Sequence, residues 1–228
     1  MKKRIETLAD GVTLYLGDCQ SILPTLPKHD ALITDPPYGI GMHGGKPATS
    51  GSHGGRKGYE YGGWDNQRPS AIIFAAMLRL VNHSIIWGGN YFADMLPATG
   101  KWLVWDKGQR ISQSDGELAW TSFDGALRIY TLNRVALMID VAEHPTQKPV
   151  QLMKWCISLL PASCMTILDP FAGSGTTGVA AVKMGRKFTG IEISERYFDI
   201  ACKRIEQALA QPDMLIEAEK KPEQIGLI

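Results

Sequence analysis

The alternation of apolar and polar positions sets the first elements of the chain. "VTLYLGD" (residues 12–18) puts Val12, Leu14 and Leu16 on one face and predicts a strand ending at Gly17-Asp18, and "DALITD" (30–35) is a second apolar run bounded by Asp30 and Asp35. After Pro69, "AIIFAAMLRL" predicts a helix from Ser70 to about Leu80, and "SIIWGG", "KWLVWD", "ELAWTSF" and "VALMID" then read as strands joined by short connections. In the last third the period keeps switching. "PVQLMKWCISLL" carries Val150, Met153, Ile157 and Leu160 at helical spacing behind a proline, "MTILDP" is a strand, and "SGTTGVAAVKMG" is a helix closing on Gly185. "KFTGIEI" is again a strand, and "SERYFDIACKRIEQALA" is a long helix capped by Ser194. Such alternation predicts an α/β sandwich with a mostly parallel sheet, the middle strands forming a partly antiparallel edge.

Two segments fall outside this plan. Residues 39–69, "GIGMHGGKPATSGSHGGRKGYEYGGWDNQRP", are dense in glycine and polar groups with little periodicity, and so long a loop in a compact domain is usually functional or disordered. Lys46, Arg56, Lys57 and Arg68 are candidates to meet phosphates, and Tyr59, Tyr61 and Trp64 candidates to stack or wedge; a bland solvent loop is the competing reading. The second segment is "DKGQRISQSDGE" (106–117). From Gln211 onward the tail is polar apart from "IGLI" and receives no role.

Composition narrows the class without deciding it. A chain of 228 residues buries a substantial core, and a single domain over 1–228 is expected. Cys19, Cys156, Cys164 and Cys202 are scattered without a C-x-x-C, which argues against a disulfide framework or a cysteine zinc site and predicts reduced thiols inside a cell. No metal cluster stands out. No apolar run of membrane-spanning length occurs, and "MKKRIETLAD" lacks the apolar core of a signal peptide. The net charge of +1 neither announces nor excludes a polyanionic partner.

The chemistry begins near the C-terminal third. Gly173, Gly175 and Gly178 form a G-x-G-x-x-G between a strand and a helix, a turn that lets a ligand approach the backbone at a helix N-terminus. Glu192, at the end of the next strand and 19 residues beyond Gly173, stands where a carboxylate accepts from ribose hydroxyls. An adenosine-containing cofactor is expected. NAD meets the same spacing, and a tight structural turn with a satisfied glutamate is the plainer alternative.

"DPPY" (35–38) supplies the discriminating half. Asp35 offers a carboxylate at the end of a buried strand, Pro36 and Pro37 contribute carbonyl acceptors without N–H donors, and Tyr38 brings a ring. Such a corner suits the exocyclic amine of a nucleobase, whose two protons donate while its plane stacks. Hydrogen bonds to Asp35 and the Pro36 carbonyl would localise the amine lone pair and aim it at an electrophile.

"DPPYG" at 35–39, "HPTQKP" at 144–149 and "DPFAGSGTT" at 169–177, in that order, resemble the motifs of DNA amino-methyltransferases whose catalytic motif precedes the S-adenosylmethionine motif. The resemblance runs from about residue 12 to 205. It implies a Rossmann-like S-adenosylmethionine-dependent methyltransferase fold, a seven-stranded, mostly parallel sheet of order 3-2-1-4-5-7-6 between helices, circularly permuted. Within that pattern Asp35, Pro36, Pro37 and Tyr38 resemble the catalytic corner. Asp169, Phe171, Gly173 and Gly175 resemble the cofactor loop, Glu192 the ribose ligand, and Asp18 with Cys19 the residues meeting adenine, while Thr146 and Lys148 lie near the cofactor and the active-site mouth. Capping of the turn after it is the plainer role for Asp18.

The resemblance implies double-stranded DNA as substrate, flipping of the target base onto Tyr38, and adenine N6 as acceptor because an aspartate opens the corner; cytosine N4 stays open. No separate target-recognition domain is visible, since only residues 124–144 separate "TSF" from "PTQKP". Site reading then falls chiefly to 39–69, with 107–118 as a second segment, and with relaxed specificity or a homodimer as ways to complete it. A cognate restriction endonuclease, a cytoplasmic location, a bacterial or phage origin and a role in restriction-modification go with the family. A relative that binds DNA without turnover, and an NAD-dependent dehydrogenase, are the readings from other classes.

Overall fold

The computed structural model describes residues 4–41, 65–108, 114–133 and 147–211. The strands are β1 (Arg4–Ala9), β2 (Val12–Leu16), β3 (His29–Thr34), β4 (Val81–Trp87), β5 (Trp102–Asp106), β6 (Gly116–Thr121), β7 (Arg128–Thr131), β8 (Thr166–Asp169) and β9 (Lys187–Glu192). The helices are α1 (Cys19–Ile22), α2 (Ala71–Arg79), α3 (Val150–Ser158), α4 (Thr176–Lys183) and α5 (Glu195–Ala210). All nine strands join one sheet in the order β1-β2-β9-β8-β3-β4-β6-β5-β7. Among the described residues the sheet has nine strands where seven were expected, and the fold is a mixed sheet with helices on both faces, Rossmann-like in its alternation.

The five strands β2, β9, β8, β3 and β4 run parallel, β6 runs against β4, and β5 runs against β6. β7 adds to β5 in parallel and β1 pairs antiparallel with β2. Neither edge strand was legible in the same place: β1 lies in the basic start, and β7 precedes "VALMID", which is outside the described residues.

Alternation along the central strands feeds two cores. Ala31 and Ile33 of β3 face the layer of α3, α4 and α5, while Leu32 faces that of α1 and α2. α5 buries Phe198, Ala201, Cys202, Ile205 and Ala208, a stripe at intervals of three and four, and Ser194 caps it by accepting from the Tyr197 N–H. Full burial of Phe198 or Ile205 contributes about 1.5–3 kcal/mol each.

β3 and β8 are joined at both ends by side chains. Asp30 Oδ2 accepts from the N–H groups of Met165 and Thr166, both at 2.9 Å, and from the Thr166 hydroxyl at 2.8 Å. These bonds hold the Asp30 carboxyl below its ordinary pKa. At the other end the Thr34 hydroxyl donates to Asp169 Oδ1 at 2.7 Å, in a buried setting. From β8 the chain winds one way to β9, and from β3 the other way to β4, so the carboxyl ends of β8 and β3 mark a topological switch point, the usual ligand position in such sheets.

Candidate active site

The glycine turn between β8 and α4 divides its work between ligand space and packing. Gly175 has φ +80°, and a Cβ there would sit 2.9 Å from both Cα and Cβ of Ala201, so it is glycine for the approach of α5. Gly173 has φ +53° with nothing within 4 Å of a Cβ, leaving the backbone open to a ligand. The loop is braced from below, because Arg204 Nη1 donates to the Ser174 carbonyl at 2.7 Å and to its hydroxyl at 2.9 Å. The Ser174 hydroxyl lies 3.0 Å from Gln147 Oε1, tying the loop to the segment that carries Lys148.

Glu192 ends β9 almost fully buried. Its Oε2 accepts from the Gly173 N–H at 2.8 Å and its Oε1 from the Ser194 N–H at 2.7 Å. Burial pushes its carboxyl up to about 7 despite those two donors. Asp169 accepts from Thr34 and, at 3.1 Å, from the Phe171 N–H, and burial raises it to about 6. Asp18 is exposed and caps α1, accepting from the Gln20 N–H at 2.9 Å, which is the plainer role foreseen for it. The Gly17 N–H nevertheless binds the Glu192 carbonyl at 2.9 Å, so Asp18 sits beside the glycine loop. Cys19 is buried, and burial pushes its thiol up to about 12.

The Asp-Pro-Pro-Tyr corner follows β3 directly. Asp35 Oδ1 accepts from the Tyr38 hydroxyl at 2.6 Å and Oδ2 from Lys148 Nζ at 2.5 Å. Lys148 is buried and also reaches Glu117 Oε2 at 3.0 Å and the Tyr38 oxygen at 3.2 Å. Glu117 in turn holds Lys107 through Oε1 at 2.8 Å. Burial raises the Asp35 carboxyl and outweighs the pull of Lys148. Against the burial that would lower it, Asp35 and Glu117 hold the Lys148 ammonium well above its ordinary value. Burial likewise opposes ionisation of Glu117, yet the two lysines bring it down to about 2.

Tyr38 differs from expectation. Its ring stacks on Tyr91, with centroids 4.8 Å apart and planes 14° from parallel, and a Cβ on Gly88 would collide with it. Burial, followed by the charge of Asp35, raises the Tyr38 phenol well above its usual pKa. Arg68 Nη1 donates to the Tyr91 carbonyl at 2.6 Å, and the guanidinium grips Asp94 in a two-pronged pair at 2.8 and 3.1 Å. It thereby pins the turn carrying Tyr91. Lys46, Arg56, Lys57, Tyr59, Trp64 and Thr146 lie outside the described residues.

The sheet thus gathers Asp35, Tyr38, Lys148, Asp169, Gly173 and Glu192 at one edge, with Glu117, Lys107 and Tyr91 as members that no motif announced. The antiparallel run of β6 and β5 explains the first two, since it returns Lys107 and Glu117 to the carboxyl edge of the parallel strands. The "GGNYF" aromatic after β4 was the only sequence signal for Tyr91. Among the described residues no group of three or more His, Cys, Asp or Glu is arranged to hold a metal, and no helix is long and apolar enough to cross a membrane.

A family model described as DNA methylase, for N6 and N4 methyltransferases, matches residues 104–203. The DNA adenine methyltransferase YhdJ of Escherichia coli strain K12 is 43% identical over 81 residues, 35% of this chain and 28% of that relative. The match therefore spans less than a third of the curated relative's length. The crystal structure of M1.HpyAVI superposes with a TM-score of 0.56 at 25% identity, covering 84% of this chain and 97% of that one. A crystal structure of the M1.HpyAVI complex with S-adenosylmethionine gives 0.57 at 23% identity, over 84% and 98% of the two chains. The cytosine-N4-specific PvuII DNA methyltransferase shares the fold at 13% identity, with a TM-score of 0.55 over 87% of this chain and 89% of that one.

Proposed function

We propose that the chain is an S-adenosylmethionine-dependent DNA amino-methyltransferase that methylates the exocyclic N6 of adenine in double-stranded DNA. The observation that carries this reading is the Thr34–Asp169 hydrogen bond, 2.7 Å long, which joins an amine-accepting corner to a glycine loop open for a cofactor. The partial likeness to the DNA adenine methyltransferase YhdJ supports the choice of adenine, and the likeness in fold to the S-adenosylmethionine complex of M1.HpyAVI supports the cofactor. In this reading the inner strands β2-β9-β8-β3-β4-β6-β5 are the permuted 3-2-1-4-5-7-6 sheet, with β1 and β7 added at the edges.

The residues present fit the cofactor. No atom lies within 4 Å of a Cβ placed on Gly173, Glu192 keeps lone pairs for ribose hydroxyls beyond those used by two N–H groups, and Asp18 follows Gly17, whose N–H binds the Glu192 carbonyl. When bound, S-adenosylmethionine supplies an electrophilic methyl group. Asp35 and the Pro36 carbonyl accept from the two amine protons and turn the nitrogen lone pair toward that carbon. In the transfer the methyl–sulfur bond would break as the C–N bond forms, a neutral thioether leaving with the sulfur electron pair; Asp35 would stabilise the cationic nitrogen, and one amine proton would leave to the carboxylate or solvent. The flipped base takes the place beside Tyr38 that Tyr91 holds in the described state. Residues 39–69 are the segment assigned to grip the distorted strand.

The test is incubation with unmethylated duplex DNA and labelled S-adenosylmethionine, followed by nucleoside mass spectrometry. N6-methyladenine is the expected product, N4-methylcytosine would reassign the base, and no label in DNA would overturn the reading. Asp35→Ala should abolish transfer while cofactor binding persists; near-normal turnover of D35A would sink the mechanism.

A further inference from the structure

We propose that Glu117 is a positioning residue for this reaction: with Lys107 it anchors Lys148, so that the ammonium orients the Asp35 carboxylate without adding uncompensated positive charge beside the reacting amine. The role rests on the methyl-transfer reading above.

The geometry is a linear chain of alternating charge. Lys107 Nζ meets Glu117 Oε1 at 2.8 Å, Glu117 Oε2 meets Lys148 Nζ at 3.0 Å, and Lys148 meets Asp35 Oδ2 at 2.5 Å. Both lysine side chains are over nine-tenths buried, so neither can exchange its partner for solvent cheaply. Their walls are aromatic: Lys148 stands 5.6 Å from the Trp87 ring and Lys107 5.2 Å from the Trp105 ring. β6 fixes Glu117 by pairing it with Trp105 of β5, and Lys107 follows two residues later.

The charge balance explains why a carboxylate is needed at 117. Asp35 and Glu117 together offset Lys107 and Lys148. Without Glu117 two ammoniums would remain against one carboxylate, at the spot where the amine nitrogen gains positive charge and faces a cationic donor. Lys148 would also lose the contact that stops it from swinging away from Asp35. The groups facing Asp35 are Lys148, Tyr38, Glu117 and, behind Thr34, Asp169; those facing Glu117 are Lys107, Lys148 and Asp35.

The decisive variant is Glu117→Gln, compared with wild type by steady-state methylation of DNA across pH. Loss of such a supporting partner should lower kcat by about 10- to 100-fold while KM for the cofactor changes by no more than about twofold. Loss of the Glu117 charge alone would lower the Asp35 carboxyl, but release of Lys148 removes the stronger influence that holds it down, so the acidic limb of kcat/KM should move to higher pH. Glu117→Asp keeps the charge but shortens the reach, so it should lower kcat less than Glu117→Gln and move that limb less. An unchanged kcat in E117Q, or an acidic limb that stays put or moves down, overturns the role even though wild type methylates DNA. A wild-type protein that transfers no methyl group overturns the underlying reading, and this role with it.

Discussion

Cofactor affinity should depend on pH through Glu192. Burial sets its carboxyl at about 7 in the folded protein against an ordinary 4.5. Being raised, it makes stability greatest below 4.5 and erodes it as pH climbs through 7, by roughly 3 kcal/mol in all. Ribose hydroxyls need the ionised form as acceptor, so binding competes with the proton. At pH 6 roughly one molecule in eleven carries the ionised group, and the dissociation constant should be about tenfold weaker than at pH 8. Titration calorimetry with S-adenosylmethionine at pH 6, 7 and 8 measures this directly, and heats in buffers of different ionisation enthalpy count the proton released. Glu192→Gln removes the titrating group and should bind weakly with a flatter profile, the residual slope below pH 6.5 belonging to Asp169, at about 6. A wild-type dissociation constant constant within about twofold from pH 6 to pH 8 would refute the assignment of Glu192 as a proton-competing ribose ligand.

The two loop glycines should separate folding from binding. Gly175→Ala meets Ala201 in a left-handed turn and should cost about 2–4 kcal/mol by chemical denaturation, whereas Gly173→Ala, with open space around it, should cost about 1 kcal/mol yet lose most cofactor affinity. Equal stability losses would show that the packing argument fails. Lys148→Met leaves Asp35 and Glu117 facing each other without their shared cation, and should cost about 3 kcal/mol at pH 8. The penalty should shrink toward pH 5 as those carboxyls take up protons; a pH-independent penalty by denaturant titration would sink the ion-pair account.

The residues legible from sequence were those whose chemistry is local. Ser194 announced α5 because a cap and an apolar stripe are both written within four turns, and Gly173 to Glu192 were readable because a βαβ unit fixes their separation. Asp35 was readable because two prolines force a strand end. Glu117 and Lys107 were not, since they sit in a polar stretch that reads as a connection; only the reversal of β5 and β6 carries them to the active edge. β7 escaped because its four residues are mostly exposed and its apolar Ile129 faces outward, whereas "VALMID" drew the eye. Tyr38 was identified but its neighbour was not, because a stacking partner 53 positions away leaves no periodic trace.

The gathering of Asp35, Glu117, Asp169 and Glu192 against Lys107 and Lys148 also bears on turnover. With all six groups ionised the edge is net negative, and a sulfonium donor enters such a field as a cation. Donation of the methyl group leaves a neutral thioether, so the attraction that favoured entry is gone once the bond is made. In the proposed reaction the same carboxylates would favour exchange of the spent molecule for a fresh one, the change in ligand charge setting the direction of the cycle.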